Sequence, residues 1–192
     1  MKSLSKLIKI KGDASNREFY RHKKNKSIFV FSKKEKYKNL LIYDSINKIL
    51  NKNKLLAPKL ISENYKNNII EIEDFGEYTI FDILKNKKKN MYSTFKEIIK
   101  ILNKMQKIND KKIRNFRNKI YYLKEYKNKI LFDETKLFCD WYVPQKLSKL
   151  KTIEFNKKFK TEIKKLLFRL NLKNNTFVHR DFHVSNMMYQ NK

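Results

Sequence analysis

The spacing of apolar residues changes once along the chain, at the segment that ends in Gly76. Before it, short runs rich in aromatic and β-branched residues alternate with polar turns, a pattern typical of β-strands. These runs are residues 17–22, 27–32, 59–65 and 68–73. Between the second and third runs, residues 37–50 place apolar side chains at helical spacing. This part of the chain therefore predicts a small sheet packed on one helix.

After Gly76, apolar residues recur at helical spacing in several segments. The segments are residues 79–84, 92–108, 114–130, 136–142 and 155–170. A run of strands followed by a run of helices predicts an α+β fold. We expect a sheet-rich lobe at residues 1–76 and a helical lobe at residues 77–192.

The segment with the most chemical content lies near the C-terminus, where His179 and Asp181 are followed by Asn186. The sequence predicts a polar loop held between two short apolar strands. Phosphoryl transfer needs a carboxylate that accepts the proton of an attacking hydroxyl, and an amide oxygen beside it that holds a magnesium ion. The spacing of Asp181 and Asn186 agrees with the catalytic loop of kinases.

Residues 179–186 (HRDFHVSN) resemble the catalytic loop of the aminoglycoside phosphotransferase and choline kinase family. His183 favours this family over protein kinases, whereas Arg180 departs from it because Gly is commoner at that position. The resemblance implies a protein-kinase-like fold of two lobes, ATP and Mg²⁺ as cofactors, and a small-molecule hydroxyl as acceptor. It implies that Asp181 orients the acceptor, that Asn186 binds magnesium, and that His179 supports the loop.

Upstream blocks resemble a bacterial subgroup that includes the anomeric kinases of N-acetylmuramate and N-acetylglucosamine. They are residues 12–21 (GDASNREFYR), 70–76 (IEIEDFG) and 137–143 (LFCDWYV). The subgroup implies an amino sugar as the acceptor. Choline, aminoglycoside and homoserine-like acceptors remain open.

These blocks assign further residues to the cofactor and the substrate. Gly12 permits a tight turn in which Ser15 and nearby amides can donate to phosphate oxygens. Backbone groups of the predicted interlobe hinge are expected to bind an adenine edge, and Lys33 is a candidate for the phosphates. The hinge residues are Glu73, Asp74 and Phe75. On the acceptor side, the candidates are Asp140, Trp141 and His183.

A second magnesium-binding Asp is expected in this family on the strand after the catalytic loop, but no Asp follows Asp181 in the sequence. The family also has further helices that complete the acceptor pocket. We therefore expect a kinase truncated in its helical lobe, with weak nucleotide binding and little transfer. A kinase-fold remnant without catalytic function remains an alternative.

The formal charge of +28 on 192 residues raises the alternative of a basic nucleic-acid-binding domain. Lys supplies 41 of the 47 cations and is spread along the chain, whereas nucleic-acid-binding proteins concentrate cations and aromatic residues on one face. Residues with AT-rich codons dominate the composition, and base bias explains this pattern. We therefore expect a Lys-rich solvated surface and no specific nucleic-acid partner.

The sequence contains no uncharged apolar run long enough for a membrane span, and residues 1–11 are too interrupted for a secretory signal. Its single cysteine, Cys139, excludes an internal disulfide framework and a multi-cysteine zinc cluster. The expectation is a cytoplasmic protein that does not bind membranes.

Overall fold

The computed structural model describes residues 7–10, 17–33, 38–170 and 176–190. The chain folds into two compact units. The first unit comprises Met1–Leu123 and His179–Lys192, and the second comprises Lys124–Val178. The division into lobes at Gly76 stays a prediction.

The first unit contains an antiparallel sheet of five strands in the order β1-β2-β3-β5-β4. The strands are β1 (Leu7–Ile10), β2 (Arg17–His22), β3 (Ser27–Ser32), β4 (Leu60–Asn64) and β5 (Ile69–Glu73). The predicted hairpin of β2 and β3 is confirmed, with Arg17 opposite Ser32 and His22 opposite Ser27. β1 was not predicted from the sequence.

The helix α1 (Lys38–Lys52) contributes to the core beside this sheet. Because side chains alternate across a strand, every second residue of β3 and β5 faces the same side. The buried core cluster consists of Ile28, Val30, Leu40, Ile70 and Ile72. Together with the helices below, this arrangement confirms the α+β fold.

After β5 the first unit continues with α2 (Ile80–Lys85) and α3 (Met91–Gln106). Thr79 caps α2: its hydroxyl accepts the Asp82 N–H, and the Asp82 carboxylate accepts the Thr79 N–H. This reciprocal capping box satisfies two backbone groups that a helix start leaves unpaired. Asn90 caps α3 through its side chain, which accepts the Ser93 N–H.

The prediction of a helix over residues 114–130 is wrong. The structure has the hairpin of β6 (Lys112–Arg114) and β7 (Ile120–Tyr122), followed by a loop. The Asn115 Oδ1 accepts the N–H groups of Arg117 and Lys119, and this fixes the turn. Asn side chains favour such turns because they compete with helical backbone hydrogen bonds.

The second unit contains α4 (Asn128–Leu137), a π-helical turn (Phe138–Tyr142), a 3₁₀ turn (Val143–Gln145) and α5 (Lys149–Leu170). Aromatic rings connect these elements: Phe138 stacks on Tyr142 with centroids 5.2 Å apart and lies 5.5 Å from Phe159 of α5. Among the described residues, no helix combines the length and the apolar character needed to cross a membrane.

Candidate active site

The polar turn, residues 179–186, brings three of the predicted site residues together. The Asn186 side-chain amide donates to Asp181 Oδ2 at 2.6 Å and to the Asp181 backbone carbonyl at 3.0 Å. His183 Nε2 lies 3.1 Å from Asp181 Oδ1. Each oxygen of the carboxylate thus has a neighbour that fixes its orientation, while 71% of the side chain stays exposed to solvent.

Both ring nitrogens of His183 have neighbours within the polar turn. Its Nδ1 accepts the Ser185 N–H at 3.3 Å, at the start of the 3₁₀ turn Val184–Asn186. Its Nε2 faces Asp181 Oδ1 and also lies 3.1 Å from the side-chain amide nitrogen of Asn186. With the Asn186 amide nitrogen bound to Asp181, its Oδ1 is the atom left for a cation.

His179 lies at the start of the polar turn, and its ring meets the edge of Phe182 at a centroid distance of 5.8 Å. Partial desolvation lowers the pKa of the imidazole, whereas the negative charge of Asp181 opposes this shift. A ring that stays neutral near pH 7 suits the supporting role expected for it, and that role stays a prediction.

Arg180 has a left-handed backbone, with φ of +71°. Glycine adopts this conformation without a steric penalty, whereas a residue with a Cβ is strained in it. The position at which the sequence departs from the resembled family is thus a position where the backbone favours glycine.

The predicted strands on either side of the polar turn are wrong. Residues 176–178 form no strand, and the only described pairing after the turn is an isolated antiparallel bridge between Met188 and Thr79. Backbone hydrogen bonds from Ile80 to Met187 and from Tyr189 to Tyr78, both 2.8 Å long, extend this pairing. The chain after the turn therefore pairs with the segment that follows the hinge.

The hinge, residues 73–76, is bound to the sheet through Arg21 at the end of β2. Its guanidinium Nε donates to Asp74 Oδ2 at 2.6 Å, and Nη2 donates to Asp74 Oδ1 at 3.1 Å. The Glu73 and Asp74 N–H groups donate to the carbonyls of Lys59 and Lys26. Of the hinge backbone groups expected to bind an adenine edge, these two N–H groups are therefore already used within the sheet.

The Phe75 N–H makes no hydrogen bond within the described part of the chain. A cavity of about 290 Å³ lies beside it. Its lining consists of Glu73, Asp74, Phe75 and Gln190, together with Lys26, Asn51, Leu56, Ala57 and Lys59. The structure therefore brings the hinge next to the segment that leaves the polar turn. The assignment of the hinge residues to a nucleotide stays a prediction.

The other predicted site residues belong to other elements or fall outside the described residues. Gly12 and Ser15 lie outside the described residues, and Lys33 is exposed just after β3. Asp140 and Trp141 belong to the π-helical turn of the second unit, where 72% of Trp141 is exposed. Their assignments to phosphate and acceptor stay predictions.

Arg21 and Thr79 were not singled out from the sequence, although Arg21 binds Asp74 of the hinge and Thr79 pairs with Met188 after the polar turn. Arg21 belongs to the block at residues 12–21. The sequence places this arginine at the end of a predicted strand, and the predicted hinge contains Asp74 as an acidic partner for it. Thr79 was recognisable as a helix cap because Asp82 follows three residues later. Its pairing with Met188 left no local signal.

The donor set of the polar turn fits a hard cation. Carboxylate and amide oxygens are the ligands that Mg²⁺ prefers, and Asp181 and Asn186 supply them from one exposed turn. Within the described ranges, no group of three or more His, Cys, Asp or Glu residues could hold a metal ion.

Comparison with known proteins agrees with this geometry. A model of the phosphotransferase enzyme family matches residues 6–192, which is nearly the whole chain. No curated protein matches the chain. With a match of this length, and an Asp-Asn pair in a polar turn next to a hinge, the chain belongs to the phosphotransferase enzyme family, whose members act on small molecules.

Proposed function

We propose that the protein transfers the γ-phosphoryl group of ATP to a hydroxyl of a small molecule, and that this acceptor is an amino sugar. The observation that carries the proposal is the contact between Asp181 and Asn186 in an exposed turn. This contact holds a proton acceptor and a metal-binding oxygen within one short segment.

Asp181 accepts the proton of the acceptor hydroxyl in this mechanism. The amide of Asn186 and the ring of His183 hold its carboxylate in one orientation. Positioning of the reactants then supplies much of the rate enhancement, because phosphoryl transfer asks little covalent chemistry of the protein.

Asn186 is the residue that would hold Mg²⁺, beside the Asp181 carboxylate to which its amide donates. A bound magnesium ion neutralises charge that develops on the phosphate oxygens. Asn186 presents its Oδ1 for this purpose because its amide nitrogen already faces Asp181.

The adenine base is assigned to the hinge. The Phe75 N–H is available as a donor, and the hinge and Gln190 form part of the lining of the cavity beside it. The pairing of residues 78–80 with residues 187–189 supports the assignment, because it holds the hinge close to the polar turn.

An amino-sugar acceptor is supported by the resemblance of residues 12–21 and 137–143 to the anomeric kinase subgroup. The exposed indole of Trp141 provides an apolar face on which a sugar ring can stack, and Asp140 next to it is an exposed hydrogen-bond acceptor.

The test measures transfer of radioactive γ-phosphate from ATP with Mg²⁺ to N-acetylmuramate, N-acetylglucosamine, choline and an aminoglycoside, so that slow turnover is detected. We expect labelled amino sugar from the wild type and a rate about 10²–10⁴-fold lower for Asp181→Asn. The exposed Asp133 provides a matched control, and Asp133→Asn should keep the wild-type rate.

Different outcomes overturn different parts of the proposal. Transfer only to choline or an aminoglycoside would keep the kinase and reject the amino sugar. No transfer and no binding of magnesium nucleotide would favour a non-catalytic remnant. Tight binding of arbitrary DNA that weakens steeply with salt, without nucleotide binding, would favour the nucleic-acid alternative.

A further inference from the structure

The ion pair between Arg21 and Asp74 lies largely out of solvent: 15% of the Arg21 side chain and 11% of the Asp74 side chain are exposed. The guanidinium fork engages both carboxylate oxygens. Bidentate pairs of this kind fix the relative orientation of their two groups, and breaking one leaves a charge in a poorly solvated place.

The same two side chains also hold the peptide groups around Gly76. Arg21 Nη2 donates to the Gly76 carbonyl, and Asp74 Oδ1 accepts the Gly76 N–H at 2.9 Å. Gly76 itself has φ of +101°, a conformation that favours glycine. Arg21 therefore fixes the direction in which the chain leaves the hinge.

That direction determines where the next segment pairs. Tyr78 accepts from Tyr189, and Ile80 donates to Met187, in the stretch directly after the polar turn. One set of hydrogen bonds thus joins the end of β2 to residues 74–76, and a second set joins residues 78–80, two residues further along the chain, to the segment beside Asn186.

We propose that Arg21 is a positioning residue for the nucleotide: through Asp74 and Gly76 it holds the hinge in the conformation that presents Phe75 to the base. This inference rests on the proposed function, because it assigns the base to the hinge. It extends that function to a strand residue that does not line the cavity and whose side-chain hydrogen bonds within the described residues go to Asp74 and Gly76.

Arginine is required at this position rather than any cation. Its planar fork reaches both oxygens of Asp74 and the Gly76 carbonyl at once, whereas a lysine ammonium is a point charge on a flexible stem. Glu77 offers a matched control, because it also pairs with Arg21, at 3.6 Å, but its side chain is 59% exposed.

The experiment measures the dissociation constant of Mg-ATP by calorimetry, below the onset of unfolding, for wild type, Arg21→Lys, Asp74→Asn, the double variant and Glu77→Gln. We expect about tenfold weaker binding for each of the first two variants, since each loses a charge-assisted contact. The double variant should bind Mg-ATP no more weakly than whichever single variant binds it less tightly. Glu77→Gln should bind as the wild type does.

Amide hydrogen exchange provides a readout that does not need nucleotide. In the wild type, the N–H groups of Gly76, Ile80 and Tyr189 should be protected, and Arg21→Lys should speed their exchange more than Glu77→Gln does. If Arg21→Lys does not fold, the exchange rates of Asp74→Asn are compared with those of Glu77→Gln instead. Asn keeps the size of the Asp side chain and an oxygen that accepts the Gly76 N–H.

Unchanged nucleotide binding in Arg21→Lys and Asp74→Asn, or additive losses in the double variant, would overturn the inference. So would unprotected amides at Gly76 and Ile80 in the wild type. If the wild type binds no nucleotide, the proposed function fails, and the exchange rates alone then decide whether Arg21 holds the hinge.

Discussion

The side-chain amide of Asn186 donates a hydrogen bond to Oδ2 of Asp181 over 2.6 Å. This bond joins the two residues that the sequence assigned to proton transfer and metal binding. Because the amide nitrogen of Asn186 is bound to Asp181, its side-chain oxygen is the atom that remains for a ligand. One side chain thereby links the orientation of the carboxylate to the metal-binding oxygen.

Asn186→Ala tests this link. The variant removes the hydrogen bond that orients the Asp181 carboxylate, and it also removes a magnesium ligand. We expect a transfer rate about 10²-fold lower, because a small displacement of a catalytic group lowers the rate by that factor. We also expect nucleotide binding to need more magnesium. Titration of ATP binding with Mg²⁺, together with the labelled-phosphate assay, measures both effects.

Ser185→Ala is the matched control for this variant. Ser185 lies in the same 3₁₀ turn, and its backbone N–H, which the substitution retains, is the group that donates to His183. Its replacement should therefore leave rate and magnesium dependence at the wild-type level. A full rate in Asn186→Ala would contradict the role of the amide.

Arg180 allows a test of backbone strain in the polar turn. Arg180→Gly and Arg180→Ala remove the same guanidinium, but only glycine relaxes at φ of +71°. We expect the Gly variant to be more stable than the Ala variant by about 1 kcal/mol, since the left-handed penalty exceeds the entropy that glycine adds to the unfolded chain. Urea unfolding measures the difference, and an Ala variant of equal or greater stability would argue against strain.

The hydroxyl of Thr79 caps the start of α2, so its removal should lower the free energy of unfolding. Thr79→Ala removes the cap on the Asp82 N–H and should cost about 1 kcal/mol. Thr79→Ser retains the hydroxyl and should cost less. Thermal unfolding of the three proteins makes the comparison; equal losses in Ala and Ser variants would show that the methyl group, rather than the cap, matters.

The lowered pKa of His179 predicts a pH dependence of stability. Below the ordinary imidazole pKa of about 6.5, the unfolded chain binds a proton that the folded chain resists, so acidification favours unfolding. Above that pH the contribution is constant. Between pH 7.5 and 5.5, the free energy of unfolding should therefore fall more for the wild type than for His179→Gln. Above pH 7.5, the two proteins should show the same change with pH. Urea titration at each pH measures these free energies. A steeper fall in the variant would reverse the assigned direction.

The sequence predicted local features of the fold well where the pattern was strong. Runs rich in aromatic and β-branched residues predicted β2 and β3, and the spacing of Asp181 and Asn186 predicted a pair that the structure joins directly. The strands around the polar turn were predicted wrongly because Met188 pairs with Thr79, more than a hundred residues earlier. Periodicity along one segment carries no information on a partner so distant.

The wrong helix at residues 114–130 has a similar cause. The hairpin there is held by a contact to another element: the carboxylate of Asp44, on α1, accepts the Phe116 N–H at 2.9 Å. Phe116 also packs edge-on against Tyr65, at a centroid distance of 5.6 Å. Tertiary contacts of this kind override the helical spacing of the apolar residues.

Asp44 itself provides the last prediction, because only 2% of its side chain is exposed. Asp44→Ala leaves the Phe116 N–H without its acceptor, and we expect a loss of about 2 kcal/mol in the free energy of unfolding, as for other hydrogen bonds to charged groups. Asp44→Asn keeps an acceptor oxygen and gives up the ion pair with Lys48, whose side chain is 41% exposed and can turn to water. For Asp44→Asn, the loss in the free energy of unfolding should therefore be below about 1 kcal/mol. Urea unfolding of both variants, with amide exchange at Phe116, measures the two contributions; equal losses would mean that charge, rather than the hydrogen bond to Phe116, holds the hairpin on α1.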